Sequence, residues 1–76
     1  MRIQTIEQKI KLIKEAVYEH AAVVLCNYFS AKSRTVQDRK VIPVKIKGEC
    51  VLCIDIDKDD WRMFRFDQIN GNVYWV

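Results

Sequence analysis

The chain contains few of the residues that interrupt, cross-link or anchor a fold. It has two glycines, one proline and one histidine in 76 residues, which argues against linkers and low-complexity segments. Charges interrupt Ile3–Lys14, so the first residues hold no run of signal-peptide length, and no run elsewhere approaches the length that spans a bilayer. Three cysteines, an odd number without a secretion signal, predict free thiols in the cytoplasm and no membrane partner.

The sequence also offers few residues suited to catalysis or metal binding. There is no glycine-rich phosphate loop, and no serine or cysteine has a general base near it in sequence, so we expect no enzyme and no cofactor. The pair Cys50 and Cys53 would point to opposite faces of a strand, which favours packed thiols over a metal site. The run Asp55–Asp59 begins like a calcium loop, but Asp60 occupies the glycine position and Phe66 the glutamate position, so an acidic turn is favoured.

Half of the residues are apolar, which is enough for a folded core in a single domain over residues 1–76. A chain of this length lies near the lower limit for an unassisted core, so we expect a homo-oligomer. The pattern predicts a helix at about 3–19, with Thr5 and Gln8 as a capping box. Five short strands are predicted at about 21–76, and together they form a small, closed or nearly closed β-barrel. Their predicted ranges are Ala21–Phe29, Val36–Lys47, Cys50–Asp57, Trp61–Phe66 and Asn72–Val76.

The charges are unevenly distributed along the chain. Lys32–Lys47 holds six cations against one aspartate, whereas Asp55–Asp60 holds four aspartates against one lysine. The net charge of +3 does not by itself identify a nucleic-acid partner, but this distribution predicts one basic lobe and one acidic hairpin tip.

The basic residues are the surviving candidates for a binding site. Strict alternation predicts that Arg39 shares a strand face with Lys45 and Lys47, while Arg62 and Arg65 come two strands later. Neighbouring strands of a barrel could bring these cations to one anion-binding surface, with Tyr28, Trp61 and Phe66 available for stacking on bases. The alternative is a scattered, solvated basic surface, which is the more common situation for strand arginines.

The order of these residues resembles the WYL domain family. An apolar strand ends in Tyr28, Arg39-Lys-Val41-Ile-Pro43 follows, and Arg62-Met-Phe64-Arg65-Phe66-Asp67-Gln-Ile69 comes last. The similarity covers about Leu12 to Ile69. The triplet that names the family appears here as Cys50-Val51-Leu52, and Gln68 stands where the family has an arginine.

This resemblance implies a mainly β fold with one N-terminal α-helix, a five-stranded Sm-like (Src-homology-3-like) β-barrel. It further implies a regulatory sensor module of bacterial transcription or of defence against phage, one that binds single-stranded nucleic acid or a nucleotide. Arg39, Arg62 and Arg65 would then contact phosphate, assisted by Tyr28 and Lys45.

Two other hypotheses stay open. In one, the chain is a protein-interaction module whose arginines are structural, with Arg65 or Arg62 paired to Asp67 or another acid. In the other, the barrel assembles into a homo-oligomeric ring.

Overall fold

The structure, a computed structural model, describes residues 3–76. One helix precedes a five-stranded antiparallel sheet with the strand order β4-β3-β2-β1-β5. The elements are α1 (Ile6–Glu19), β1 (Val23–Ser30), β2 (Thr35–Lys47), β3 (Cys50–Asp55), β4 (Asp60–Arg65), a short 3₁₀ helix (Phe66–Gln68) and β5 (Val73–Trp75). This architecture confirms the predicted fold class. Met1 and Arg2, where the amphipathic pattern begins, lie outside the described residues.

The helix begins and ends where the sequence signals place its caps. Thr5 Oγ1 accepts a hydrogen bond from the Gln8 amide, and Gln8 Oε1 accepts one from the Thr5 amide, which completes the predicted capping box. The helix ends at His20, which has a left-handed φ of 54°. Ile13 and Ala16 are fully buried against the sheet, so the apolar stripe packs on the core.

Lys9 differs from the other charged residues of α1, which are exposed. Its side chain is buried, and Nζ donates a hydrogen bond of 2.8 Å to the carbonyl of Ile69. The aliphatic stem packs in the interior while the ammonium group finds an acceptor just after the 3₁₀ helix. The helix is thereby fastened to the segment between β4 and β5.

Two β-bulges curl the sheet and change which side chains face inward. The β1–β2 register shifts between Leu25 and Tyr28, where Asn27 has a φ of 52°, and the β2–β3 register shifts between Pro43 and Lys45. Each bulge adds one residue and bends its strand. The curl lets Tyr28 form an isolated bridge with Ile69, which joins the end of β1 to the chain beyond β4. The barrel is thus nearly closed.

The side chain of Gln4 covers part of the free edge of β5. Its Nε2 donates to the Val73 carbonyl at 2.9 Å, and its Oε1 accepts from the Val73 amide at 2.7 Å. The amide group therefore makes the two hydrogen bonds that a neighbouring strand would make. Such protection matters because open sheet edges are templates for pairing with other chains.

We expect Gly71→Ala to destabilise the protein by about 1–3 kcal/mol, the usual range for overpacking. A Cβ atom at position 71 would lie 2.8 Å from Cys26 Cβ and 2.9 Å from the Cys26 carbonyl oxygen. The backbone cannot easily withdraw, because the Gly71 amide donates to that same carbonyl at 2.9 Å. Urea denaturation measures the loss. Gly48→Ala has open space around its Cβ but a φ of +59°, so it reports backbone strain alone, and a Gly71→Ala protein as stable as wild type would contradict the steric account.

Candidate nucleic-acid interface

Three charged side chains from three adjacent strands meet on the inner face of the sheet at one mouth of the barrel. Arg39 on β2 and Arg62 on β4 flank Asp55 on β3. Asp55 is completely buried, whereas 13% of the Arg39 side chain and 45% of the Arg62 side chain is exposed. Arg39 Nη1 lies 3.6 Å and Arg62 Nε 3.9 Å from Asp55 Oδ2. These distances exceed hydrogen-bond range, so the contacts are coulombic.

The other carboxylate oxygen of Asp55 belongs to the β3–β4 turn. Oδ1 accepts hydrogen bonds from the amides of Asp57 at 3.1 Å and Lys58 at 3.3 Å. Oδ2, in contrast, has no hydrogen-bond partner among the described residues, and neither has the buried Nε of Arg39. The carboxylate is therefore fixed by the turn on one side and faces two guanidinium groups on the other.

A cleft of about 440 Å³ opens beside these arginines, between β4 and the turn that joins β1 to β2. We call it the first cleft. It is lined by Tyr28, Ser30, Ala31, Lys32, Arg39, Arg62, Met63, Phe64, Arg65 and Gln68. Four of the five residues predicted to form the site, namely all but Lys45, therefore line one cavity.

A second cleft, of about 480 Å³, adjoins the first and shares Ser30, Lys32, Arg39 and Arg62 with it. Its other lining residues are Ser33, Thr35, Gln37 and Lys58. Every charged residue that lines either cleft is a cation. The groove between α1 and β5 differs, because lysines and glutamates are mixed along it. The two clefts thus form a continuous positively charged surface suited to polyanions.

The prediction that Lys45 shares a face with Arg39 is wrong. The bulge after Pro43 pairs Lys45 with Leu52, whereas Pro43 pairs with the fully buried Cys53. Paired residues of antiparallel strands share a face, so the extra residue moves Lys45 to the outer side of the sheet. Lys47 lies there too, since it pairs with Cys50 and not with an inward-facing residue.

Tyr28 lies in the site for a structural reason. The bulge in β1 turns it to the same inner face as Leu25, although strict alternation placed the two on opposite faces. Its hydroxyl accepts from the Arg65 amide at 3.0 Å and donates to Gln68 Oε1 at 3.1 Å. Its ring stacks edge-on against Phe64 with the centroids 4.9 Å apart. Burial raises the pKa of this hydroxyl, which stays protonated and able to donate.

Arg65 lines the first cleft but is already paired. Its Nε and Nη2 donate to the two carboxylate oxygens of Asp67 at 3.1 and 3.0 Å, and Glu49 lies 3.7 Å from Nη2. The bidentate bond lowers the pKa of Asp67 and raises that of Arg65. Since the carboxylate pKa is depressed, the pair is intact at neutral pH and is lost only as acid protonates Asp67. The pair hypothesised for Arg65 and Asp67 is present.

The expected stacking residues are only partly available. Phe66 is buried in the core, so it cannot stack on a base. Trp61 is more than half exposed, but it pairs with Ile54 on the outer face and lines neither cleft. Tyr28 and Phe64 line the first cleft but are about as buried as Phe66, and the Met63 side chain faces outward with its partner Leu52.

Sequence reasoning missed several lining residues. Lys32 and Lys58 come from turns, and Gln68 contributes an uncharged amide group to the first cleft. Asp55 was read as part of an exposed acidic turn. The signal for its burial was present in the alternation, because Val51, Cys53 and Asp55 fall on one face and all three are buried.

The cysteines belong to the packing of the sheet. Cys53 is fully buried, and burial raises the pKa of its thiol to about 12, which leaves it protonated and unreactive at neutral pH. Cys50 faces the opposite side of β3. Within residues 3–76, no cluster of three or more histidine, cysteine or acidic side chains could hold a metal ion. No helix in that range has the length and apolarity needed to cross a membrane.

Comparison with solved structures finds one that superimposes on nearly the whole chain. It is the proteasome accessory factor B/C (PafBC) of Arthrobacter aurescens, with a TM-score of 0.76 and 22% sequence identity over 92% of this chain. The chain shares its fold with a segment of PafBC. It spans 11% of the length of PafBC, so the likeness concerns this barrel alone. No family model matches the sequence, and no curated protein matches it either.

Proposed function

We propose that this barrel is a non-enzymatic regulatory module that binds single-stranded nucleic acid across the two clefts. The observation that carries the proposal is that Arg39 and Arg62 lie between two adjoining cavities whose charged lining is entirely cationic. Guanidinium groups suit phosphate because of their planar, forked donors. The first cleft, of about 440 Å³, offers room for one base beside them.

The shape of the surface favours a strand over a single nucleotide. One nucleotide would occupy the first cleft and leave the second unused. The second cleft continues from the shared arginines with hydroxyl and amide groups from Ser33, Thr35 and Gln37, and with the ammonium group of Lys58. Such groups commonly contact phosphate and sugar without reading sequence. We therefore place the sugar–phosphate backbone along Arg39 and Arg62, with one base in the first cleft.

The wider biological setting is also part of the proposal. The fold shared with PafBC, named an accessory factor, and the resemblance to WYL domains support a regulatory role in the cytoplasm of a bacterium or phage-infected cell. We propose that the 76 residues form one WYL-like domain and that it acts as a homo-oligomer. The exposed apolar side chains of Trp61 and Met63 on the outer face offer a surface for self-association.

The test is fluorescence anisotropy with a labelled oligothymidylate of about ten nucleotides, comparable to the site size of small barrels that bind single strands. Three phosphate contacts, from Arg39, Arg62 and Lys58, predict that the logarithm of affinity falls with the logarithm of salt with a slope of about −2. Affinity should then drop about 16-fold between roughly 50 and 200 mM salt. A duplex of the same length is the control and should bind more weakly. No salt-dependent binding at low ionic strength would refute the proposal.

A protein-interaction module remains the second candidate, and one observation favours it. The bidentate pair between Arg65 and Asp67 shows that one of the three predicted phosphate ligands already has a structural partner. If Arg62 were structural in the same way, its removal would cost stability and leave oligonucleotide binding unaffected. The substitution considered at the start of the Discussion separates the two candidates.

A further inference from the structure

We propose that Asp55 is a positioning residue that holds the guanidinium groups of Arg39 and Arg62 in the orientation in which they receive a phosphate. This inference rests on the proposed function, because it concerns the same site. It goes beyond that function because it makes the affinity of the cationic clefts for phosphate depend on a buried carboxylate that does not itself contact the ligand.

The first argument is the location of the three charges. β3 lies between β2 and β4, so the carboxylate of Asp55 stands between two cations that would otherwise repel each other. It contacts Arg39 through Nη1 and Arg62 through Nε. Neither guanidinium makes a hydrogen bond to another described residue, and although Arg39 Nε is buried, the nitrogens that reach the cleft wall are available to a ligand.

The second argument is that Asp55 is itself immobilised. It is completely buried, and the amides of Asp57 and Lys58 hold its Oδ1. A fixed anion restrains long, flexible side chains before the ligand arrives. Their conformational entropy is therefore lost on folding and does not weaken binding. Arg65 is restrained in a comparable way, but by the exposed carboxylate of Asp67.

The direction in which one substitution changes the affinity for the probe separates positioning from simple charge neutralisation. Asp55→Asn makes the site more positive by one charge, and the asparagine Oδ1 can still accept from the two turn amides. If Asp55 merely cancelled positive charge, the variant would bind the oligothymidylate probe more tightly. If Asp55 positions the arginines, it binds more weakly, and we expect a loss of about tenfold, the magnitude typical of one lost orienting interaction.

The matched control is Asp57→Asn. It removes the same charge from the same hairpin, but the exposed Asp57 side chain makes no contact with Arg39 or Arg62. We expect its affinity to equal that of wild type or to rise by less than about twofold, since surface charges are screened. Affinity that is unchanged or higher in Asp55→Asn overturns the inference, provided that wild type binds the probe.

A ligand-free measurement keeps the inference testable if wild type does not bind the probe, a result that would refute the proposed function alone. Heteronuclear relaxation of the arginine Nε–Hε groups should show Arg39 and Arg62 ordered in wild type and mobile in Asp55→Asn. Arg65 should stay ordered in both, because Asp67 holds it. Equal order of Arg39 and Arg62 in the two proteins overturns the inference.

If Asp55→Asn does not fold, the comparison is made within the wild-type protein. Arg34 lies exposed in the β1–β2 turn and has no carboxylate partner among the described residues. Arg39 and Arg62 should be clearly more ordered than Arg34. Equal mobility of all three would overturn the inference.

Discussion

Arg62→Ala is expected to weaken binding of the oligothymidylate probe about tenfold and to make the salt dependence shallower by about 0.7 in slope. Arg62 lines both clefts, so its loss removes one phosphate contact. Stability should change by less than about 1 kcal/mol, because the side chain is nearly half exposed and its ion pair is long at 3.9 Å. Arg39 and the turn amides remain to hold the buried carboxylate. Anisotropy titrations and urea denaturation on the same preparation give both quantities.

Lys45→Ala is the matched control for this experiment. It removes one positive charge from the same sheet, but on the outer face, and Lys45 lines neither cleft. We expect its affinity and salt slope to match wild type. A large loss of stability in Arg62→Ala with unchanged binding would instead identify the arginine as structural and favour the protein-interaction module.

Tyr28→Ala should cost about 3–5 kcal/mol of folding free energy, the range for truncating a buried large aromatic side chain. The ring packs on Phe64, and the hydroxyl links the Arg65 amide to Gln68. A domain of this size has roughly 4–11 kcal/mol of stability in total, so the variant would be close to unfolding. Urea denaturation followed by tryptophan fluorescence measures the change.

Tyr28→Phe isolates the hydroxyl of the same residue. It keeps the ring and leaves the partly buried Arg65 amide without its acceptor, at a cost of about 1–3 kcal/mol. Because the hydroxyl is occupied within the protein, probe affinity should be unchanged once the folded fraction is taken into account. A folded Tyr28→Phe protein that loses binding would show that this hydroxyl contacts the ligand.

The elements of the fold could be predicted because their signals are local. The capping pair Thr5 and Gln8, the helical apolar stripe and the period-two strands each depend on residues a few positions apart. The strand and helix bounds shift by up to three residues between prediction and structure. Such ends are set by turns and tertiary contacts that periodicity does not encode.

The site was predicted less completely. Strand faces were assigned from strict alternation, and a bulge in β1 and another in β2 reverse the faces of the residues that follow. One turns Tyr28 inward and the other turns Lys45 outward. Each bulge carries a local sign: Asn27 tolerates a positive φ, and Pro43 cannot donate to a ladder. Neither residue, however, fixes where the register slips. That depends on which neighbour pairs best, and this is a tertiary property.

The burial of Asp55 was missed for a different reason. In sequence it is the first of four aspartates within six residues, and composition favours an exposed acidic turn. Its environment is created by Arg39, sixteen positions earlier, and Arg62, seven positions later. A buried carboxylate is tolerable only where cations and turn amides converge on it, and a linear reading contains no information about that convergence.

The amide group of Gln4 gives the barrel a mechanical property. Because this side chain occupies both backbone positions of Val73, tension on the polypeptide just ahead of the helix is transmitted straight to the final strand. Pulling that segment away would uncover one unit of β-sheet edge and free it to recruit another strand.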